Sequence, residues 1–323
     1  METRPVLSKR EHPIYDNDYS INTNAILALY NDINRWIDNQ TPGGIIYGKP
    51  RLGKTKAISC ITKLLRNEYN PNLPIFQLNM TFHKLNEKRF YEQFFNDIGN
   101  AFAGKGTTFE KKERLINYLI NSAREANTKK IILFVDEANY LEEKEYSWLM
   151  DIYNRLMLND IHMTTLLVGT NEILIAKHLF IKNKLQQLVG RFMVQEHHFH
   201  GVRQASELKI CLASYDSFLK YPLGSEWTYT KYFFPEGFRK GYRLSNDAEL
   251  VFECFTKLSE EANLGTKLDI PMQYIIIAIN VCLKDYGADK AQLEQPTIKE
   301  WKASIINAGF LQAERAYLQL ENS

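Results

Sequence analysis

The octapeptide GKPRLGKT at residues 48–55 constrains this chain more than any other feature. It lies between the apolar run GIIY and the helix-spaced segment KAISCITKLLRNEY, and it has the form GxxxxGK[ST]. In the order strand, loop, helix, the glycines let backbone N–H groups turn inward, and the helix N-terminus adds partial positive charge. Such a loop is shaped around phosphate. Lys54 is placed to reach terminal phosphates and Thr55 to set a hydroxyl on Mg²⁺. Gly48, Pro50, Arg51, Leu52, Gly53 and Lys56 complete the expected phosphate-binding set. A lysine-rich surface turn would explain the charges, but not the strand and helix that flank them.

The same alternation continues for about two hundred residues. LPIFQLNM (73–80), KKIILFV (129–135), MTTLLVGTNE (163–172) and MVQEHHF (193–199) read as further strands. Helical spacing marks 22–40, 86–102, 109–126, 145–159 and 176–192. Strands that are nearly all apolar and alternate with helices imply a parallel sheet covered on both faces. Near Gly201 the pattern becomes helix after helix, at 203–220, 246–262, 270–285 and 297–319, interrupted by an aromatic, glycine-bearing insertion. The expected organisation is an arm at 1–21, an α/β core at 22–200, and a helical region at 201–323 with the insertion at 220–244.

Composition narrows the class. A formal charge of +2 gives no global basic field, so any polyanion site must be local. Four scattered cysteines form no CxxC pair, which suits a reducing compartment. The N-terminus METRPVLSKREHP has charges where a signal peptide needs an apolar core. The most apolar run, YIIIAINVCL, is about half the ~20 residues a membrane span requires. A cytoplasmic protein is expected.

Asp136 and Glu137 end the strand IILFV, and an acid at the C-terminal end of such a strand lies beside the phosphate loop. Asp136 would hold Mg²⁺, and Glu137 would orient the water that attacks the γ-phosphate. The alternative, that both acids cap the following helix, leaves the phosphate loop a coincidence. Together the motifs point to hydrolysis of ATP or GTP. The next strand ends VGTNE, where Thr170 or Asn171 either sits between the attacking water and the γ-phosphate or caps a helix.

At this point the chain resembles the AAA+ ATPases over roughly residues 22–285. The resemblance implies ATP with Mg²⁺, a sheet ordered 5-1-4-3-2, a helical lid, and nucleotide bound between neighbouring subunits. It also implies an arginine finger before the fifth strand, where Arg191 stands in LVGRF, with Lys182 and Lys184 as lesser candidates. More narrowly, GKPRLGKT and the closing GFLQAERAYLQLENS resemble the TnsC/TniB regulators of CRISPR-associated transposons. That likeness implies a homo-oligomeric ring or filament on duplex DNA, linking a target-selection complex to transposase subunits. Two features depart from the pattern. The loop is poorer in Gly and Pro than usual, and LGTKLDIPMQY lacks the arginine with which related lids sense the γ-phosphate. Slow turnover, a timer rather than a motor, is expected.

For DNA, the segment between the second and third strands offers Lys84, Lys88, Arg89, Lys105, Lys111, Lys112 and Arg114, with the hydroxyls of Thr107 and Thr108. Lys84 and Lys105 lead, because lysines and small hydroxyl residues suit phosphate contact without base reading. Glu87, Glu110 and Glu113 dilute the patch, as on an ordinary solvated helix face. The aromatic insertion is read first as its own small core and second as a docking spot. His197, His198 and His200 lack metal-ligand spacing. Two other functions share the same motifs: a nucleotide-gated scaffold with little hydrolysis, and a helicase loader or replication initiator.

Overall fold

The computed structural model describes residues 3–8, 10–21, 23–99, 106–265 and 267–321. The chain packs as two units, one of residues 28–50 and 54–199, the other of residues 1–27, 51–53 and 200–323.

The first unit is built on five parallel strands: β1 (Gly43–Tyr47), β2 (Ile75–Asn79), β3 (Lys130–Asp136), β4 (His162–Gly169) and β5 (Gln195–His198). Their order is β2-β3-β4-β1-β5, the expected 5-1-4-3-2 read from the other edge. The central strands β3, β1 and β4 are apolar almost throughout because helices cover both faces. These helices are α1 (Asn24–Asp38), α2 (Lys54–Glu68), α3 (Glu87–Asp97), α4 (Thr108–Glu125), α5 (Glu143–Met157), α6 (Glu172–Lys182) and α7 (Gln186–Phe192). The expected single helix over 176–192 is thus two. The apolar stripe runs through the break, but Lys184 takes φ 60°, which ends a right-handed helix.

The TPGG that opens β1 is more than a turn. A Cβ on Gly43 would lie 2.7 Å from the Thr165 carbonyl oxygen and 2.9 Å from that of Arg191. One on Gly44 would lie 2.8 Å from the Trp36 ring. The central strand is bare of side chains where its neighbours press closest. Gly43→Ala is therefore expected to cost about 1–3 kcal/mol, because backbone cannot give way. Gly190→Ala, with nothing within 4 Å of its Cβ, should be neutral or stabilising. Thermal melting of the two variants checks the contrast.

The second unit is helical: α8 (Ala205–Ser217), α9 (Tyr229–Phe233), α10 (Pro235–Arg239), α11 (Ala248–Glu261), α12 (Met272–Tyr286), α13 (Ile298–Asn307) and α14 (Phe310–Glu321). The expected helix over 297–319 is likewise two, divided at Gly309 with φ +76°. The insertion folds into the short helices α9 and α10. Trp227, Tyr229, Tyr232, Phe233, Phe234 and Tyr242 are buried in one core with Leu212, Phe255 and Trp301. Ile14, Ile21 and the ring of His12 join the same unit, His12 lying 4.4–5.3 Å from the rings of Tyr221, Tyr229, Tyr232 and Phe233. No described helix is long and apolar enough to cross a membrane.

Candidate functional site

The C-terminal ends of β1, β3 and β4 bring the chemistry-bearing side chains of the first unit together. The phosphate loop leaves β1 at Gly48 and enters α2 at Lys54. Gly53 holds φ +96°, a conformation that costs other residues, while Arg51 adopts φ 65° despite its side chain. Arg51 and Lys56 are exposed, and Leu52 is buried.

Lys54 folds back into its own loop. Its Nζ donates to the carbonyl oxygens of Gly48 and Lys49, each at 2.8 Å. Burial drives its pKa down to about 8, against the opposing pull of Glu137 and Asp136. An ammonium desolvated this far binds an anion more strongly than one in water.

Thr55 donates its hydroxyl to Asp136 Oδ2 at 2.8 Å, and Glu137 N–H donates to Asp136 Oδ1 at 3.0 Å. The buried Asp136 carboxylate is thereby held at both oxygens. Glu137 is exposed and takes the left-handed conformation, φ 52° and ψ 39°. For a non-glycine residue that conformation costs about 1–3 kcal/mol and recurs where function needs a side chain aimed. A hydroxyl and a carboxylate oxygen 2.8 Å apart, with the half-buried ammonium of Lys54 nearby, fit a magnesium–nucleotide.

Thr170 follows β4 and donates to Glu172 Oε2 at 2.8 Å. Asn171 precedes α6 with an exposed side chain that makes no capping hydrogen bond. Arg191 lies in the last turn of α7, half-buried, its guanidinium carbon 4.4 Å over the Tyr153 ring. Lys182 and Lys184 are exposed.

The basic segment sorts into separate roles. Lys84, Lys88 and Arg89 line a hollow of about 550 Å³ at the start of α3, which Leu85, Asn86 and Glu92 also line. Among the described residues none forms an ion pair with these three cations. Lys111, in contrast, is fully buried and paired with Glu92 at 2.9 Å, and Lys112 pairs with Asp151 at 2.5 Å. Thr107 caps α4: its Oγ1 accepts from Glu110 N–H, while Glu110 accepts from Thr107 N–H. Thr108 is the first residue of that helix. Lys105 lies outside the described residues.

Two residues escaped the sequence reading. Asn79 ends β2 in register with Asp136, and Asn139 follows Glu137 by two positions. Asn79 is a polar residue at a strand end, the signal that did single out Thr170, whereas Asn139 stands three positions past β3, in the 3₁₀ turn Ala138–Tyr140. The histidines are structural: His197 Nδ1 bonds Asp32 at 2.7 Å and His198 stacks on Tyr47. Among the described residues no cluster of His, Cys, Asp and Glu could hold a metal by itself.

Residues 38–174 match the family model of an AAA domain. The structure of the Aeropyrum pernix ORC2 protein, in ADPNP–ADP complexes, shares the fold at a TM-score of 0.55 and 14% identity, covering 92% of this chain and 72% of its own. The structure of Drosophila ORC bound to DNA aligns at a TM-score of 0.51 and 11% identity, covering 94% of this chain and 69% of its own. The five-stranded parallel sheet followed by a helical region is the AAA+ fold. No curated protein matches the chain.

Proposed function

We propose that this chain is a cytoplasmic ATPase whose ATP-bound form oligomerises on duplex DNA and regulates transposition. In this reading it links a target-selection complex to transposase subunits, and hydrolysis dismantles the assembly. The observation that carries the enzymatic half is the set Lys54, Thr55, Asp136 and Glu137, gathered at the ends of β1 and β3. Bound Mg²⁺–ATP supplies the phosphoryl group and a Lewis-acidic cation. Thr55 and Asp136 would hold that cation and Lys54 the terminal phosphates, while Glu137 takes a proton from water. Arg191, in the last turn of α7, serves a neighbouring subunit's nucleotide in this scheme, as Asn171 and Thr170 serve their own.

The DNA half is supported by Lys84, Lys88 and Arg89, three cations that no carboxylate of the described chain neutralises. Replacing all three by Ala should weaken duplex binding equally for all sequences. The slope of log affinity against log salt should become shallower by about 0.9 for each phosphate left without its cation. Fluorescence anisotropy over a salt series measures both effects. Transposition is favoured by the resemblance of GKPRLGKT and GFLQAERAYLQLENS to transposon regulators. A second reading, a replication initiator, is favoured by the fold shared with the two ORC structures.

Electron microscopy with duplex DNA under ATP–Mg²⁺, ADP and no nucleotide tests the assembly. Rings or filaments with ATP alone are expected, and monomers in every condition would sink it. Transposase that shortens those assemblies favours the first reading; a replicative helicase loaded by them favours the second.

A further inference from the structure

His83 stands in the loop that joins β2 to α3, and both of its ring nitrogens are engaged. Nδ1 lies 2.6 Å from the Thr81 carbonyl oxygen, and Nε2 lies 2.9 Å from Oε1 of Glu145, in the first turn of α5. The other oxygen of Glu145 accepts from Glu142 N–H at 2.9 Å. Both side chains are buried, His83 3% and Glu145 1% exposed. A carbonyl oxygen only accepts, so Nδ1 carries a proton, and the contact between Nε2 and the carboxyl oxygen requires another. Burial raises the Glu145 carboxyl above its usual range, against the pull of Glu142 N–H and of His83. The pair holds its second proton as one unit and is neutral overall, whichever partner carries it.

A buried pair of this kind adds little stability that two apolar side chains would not match. What it fixes is direction. On either side of His83 the chain faces outward: Phe82 and Lys84 are exposed. Asn86 caps α3, its side chain accepting from Arg89 N–H at 3.0 Å. Lys84 is thus carried between two anchored residues, and it lines one hollow with Lys88 and Arg89. Lys111 and Lys112 are held by carboxylates of their own. Lys84 has no such partner among the described residues, so its place depends on the backbone that His83 holds.

We propose that His83 and Glu145 are positioning residues for DNA binding, a proton-sharing clasp that sets Lys84 against a backbone phosphate alongside Lys88 and Arg89. The inference rests on the duplex-binding reading above.

The experiment measures duplex affinity over a salt series, with thermal melting alongside, for the full-length protein under ATP–Mg²⁺. The variants are Lys84→Ala, His83→Ala, the two combined, and Glu145→Gln. Lys84→Ala should flatten the slope of log affinity against log salt by about 0.9. His83→Ala should flatten it equally, and the combined variant no further, because His83 acts only through Lys84. Glu145→Gln should bind as the wild type does: its amide donates to a neutral imidazole and still accepts from Glu142 N–H. Where His83→Ala does not fold, His83→Asn replaces it, keeping a donor for the Thr81 carbonyl but falling short of Glu145. A wild-type slope in the His83 variant or in Lys84→Ala overturns the inference. So does a combined variant whose loss is the sum of the single losses, or a Glu145→Gln protein as weak as His83→Ala. A wild type that does not bind duplex, or binds it without salt dependence, would instead remove the duplex-binding reading, and this inference with it.

Discussion

Glu137→Gln should bind ATP as the wild type does and hydrolyse it about 10²–10⁴ times more slowly. The separation follows from the geometry. The groups that hold the turn are backbone: Glu137 N–H donates to Asp136 Oδ1 at 3.0 Å, and Tyr140 N–H donates to the Glu137 carbonyl at 3.0 Å. An amide of the same size leaves both bonds in place, along with the left-handed conformation that aims the side chain. The Thr55–Asp136 pair and the Lys54 tether do not pass through Glu137 at all. What the amide removes is the basic oxygen that accepts the water's proton. Under the proposed assembly scheme the variant accumulates on DNA in its ATP form and fails to dissociate. Single-turnover hydrolysis with a parallel binding titration reads the two effects apart. Undiminished hydrolysis would take Glu137 out of the mechanism, and loss of binding would make it a structural residue of the turn.

How far such a site can be read from sequence depends on whether its determinants are local. Ile131 to Val135 are continuously apolar and end in two acids, so the strand, its burial and its chemistry are all written in seven adjacent residues. Lys54 and Thr55 are legible for the same reason. Lys111 is not: in sequence it stands among Lys105, Lys112 and Arg114, and only the packing of α4 on α3 shows it buried against Glu92. The hydroxyl of Thr107 looks free to meet a phosphate until the capping box of α4 engages it. The helix breaks at Lys184 and Gly309 were hidden because the apolar stripe continues across them, and a periodicity argument sees the stripe rather than the backbone angle. Gly43 and Gly44 resemble any turn glycines, since the Thr165 carbonyl and the Trp36 ring that require them lie far away in sequence or on another element.

Lys54→Ala should abolish nucleotide binding, and without nucleotide it should leave the fold no less stable. The two halves have one cause. Lys54 is desolvated enough that its pKa falls from 10.5 to about 8, so at neutral pH the folded protein carries a half-buried cation that the unfolded chain leaves fully in water. The two carbonyl oxygens at 2.8 Å and the nearby acids offset that cost only in part. Alanine removes both the cost and the tether, but also the ammonium that meets the phosphates. Nucleotide at 100 times its dissociation constant should stabilise the wild type by about 2.7 kcal/mol and the variant not at all. The lowered pKa adds a pH dependence of definite sign. Below about 8 Lys54 is protonated in both folded and unfolded states, and the cost is present in full. Between about 8 and 10.5 the unfolded chain binds more protons than the folded one, so this residue's contribution to stability rises with pH. Nucleotide phosphates act oppositely, drawing the proton back, so across the same window binding should take up a fraction of a proton and weaken as pH rises. Calorimetry in two buffers of different ionisation enthalpy measures that uptake directly. Uptake that grows above pH 8 in the wild type places a neutral Lys54 in the nucleotide-free loop. Affinity and proton count that stay flat to pH 10 would mean that the ammonium keeps its charge, and that the carbonyls of Gly48 and Lys49 suffice to hold it.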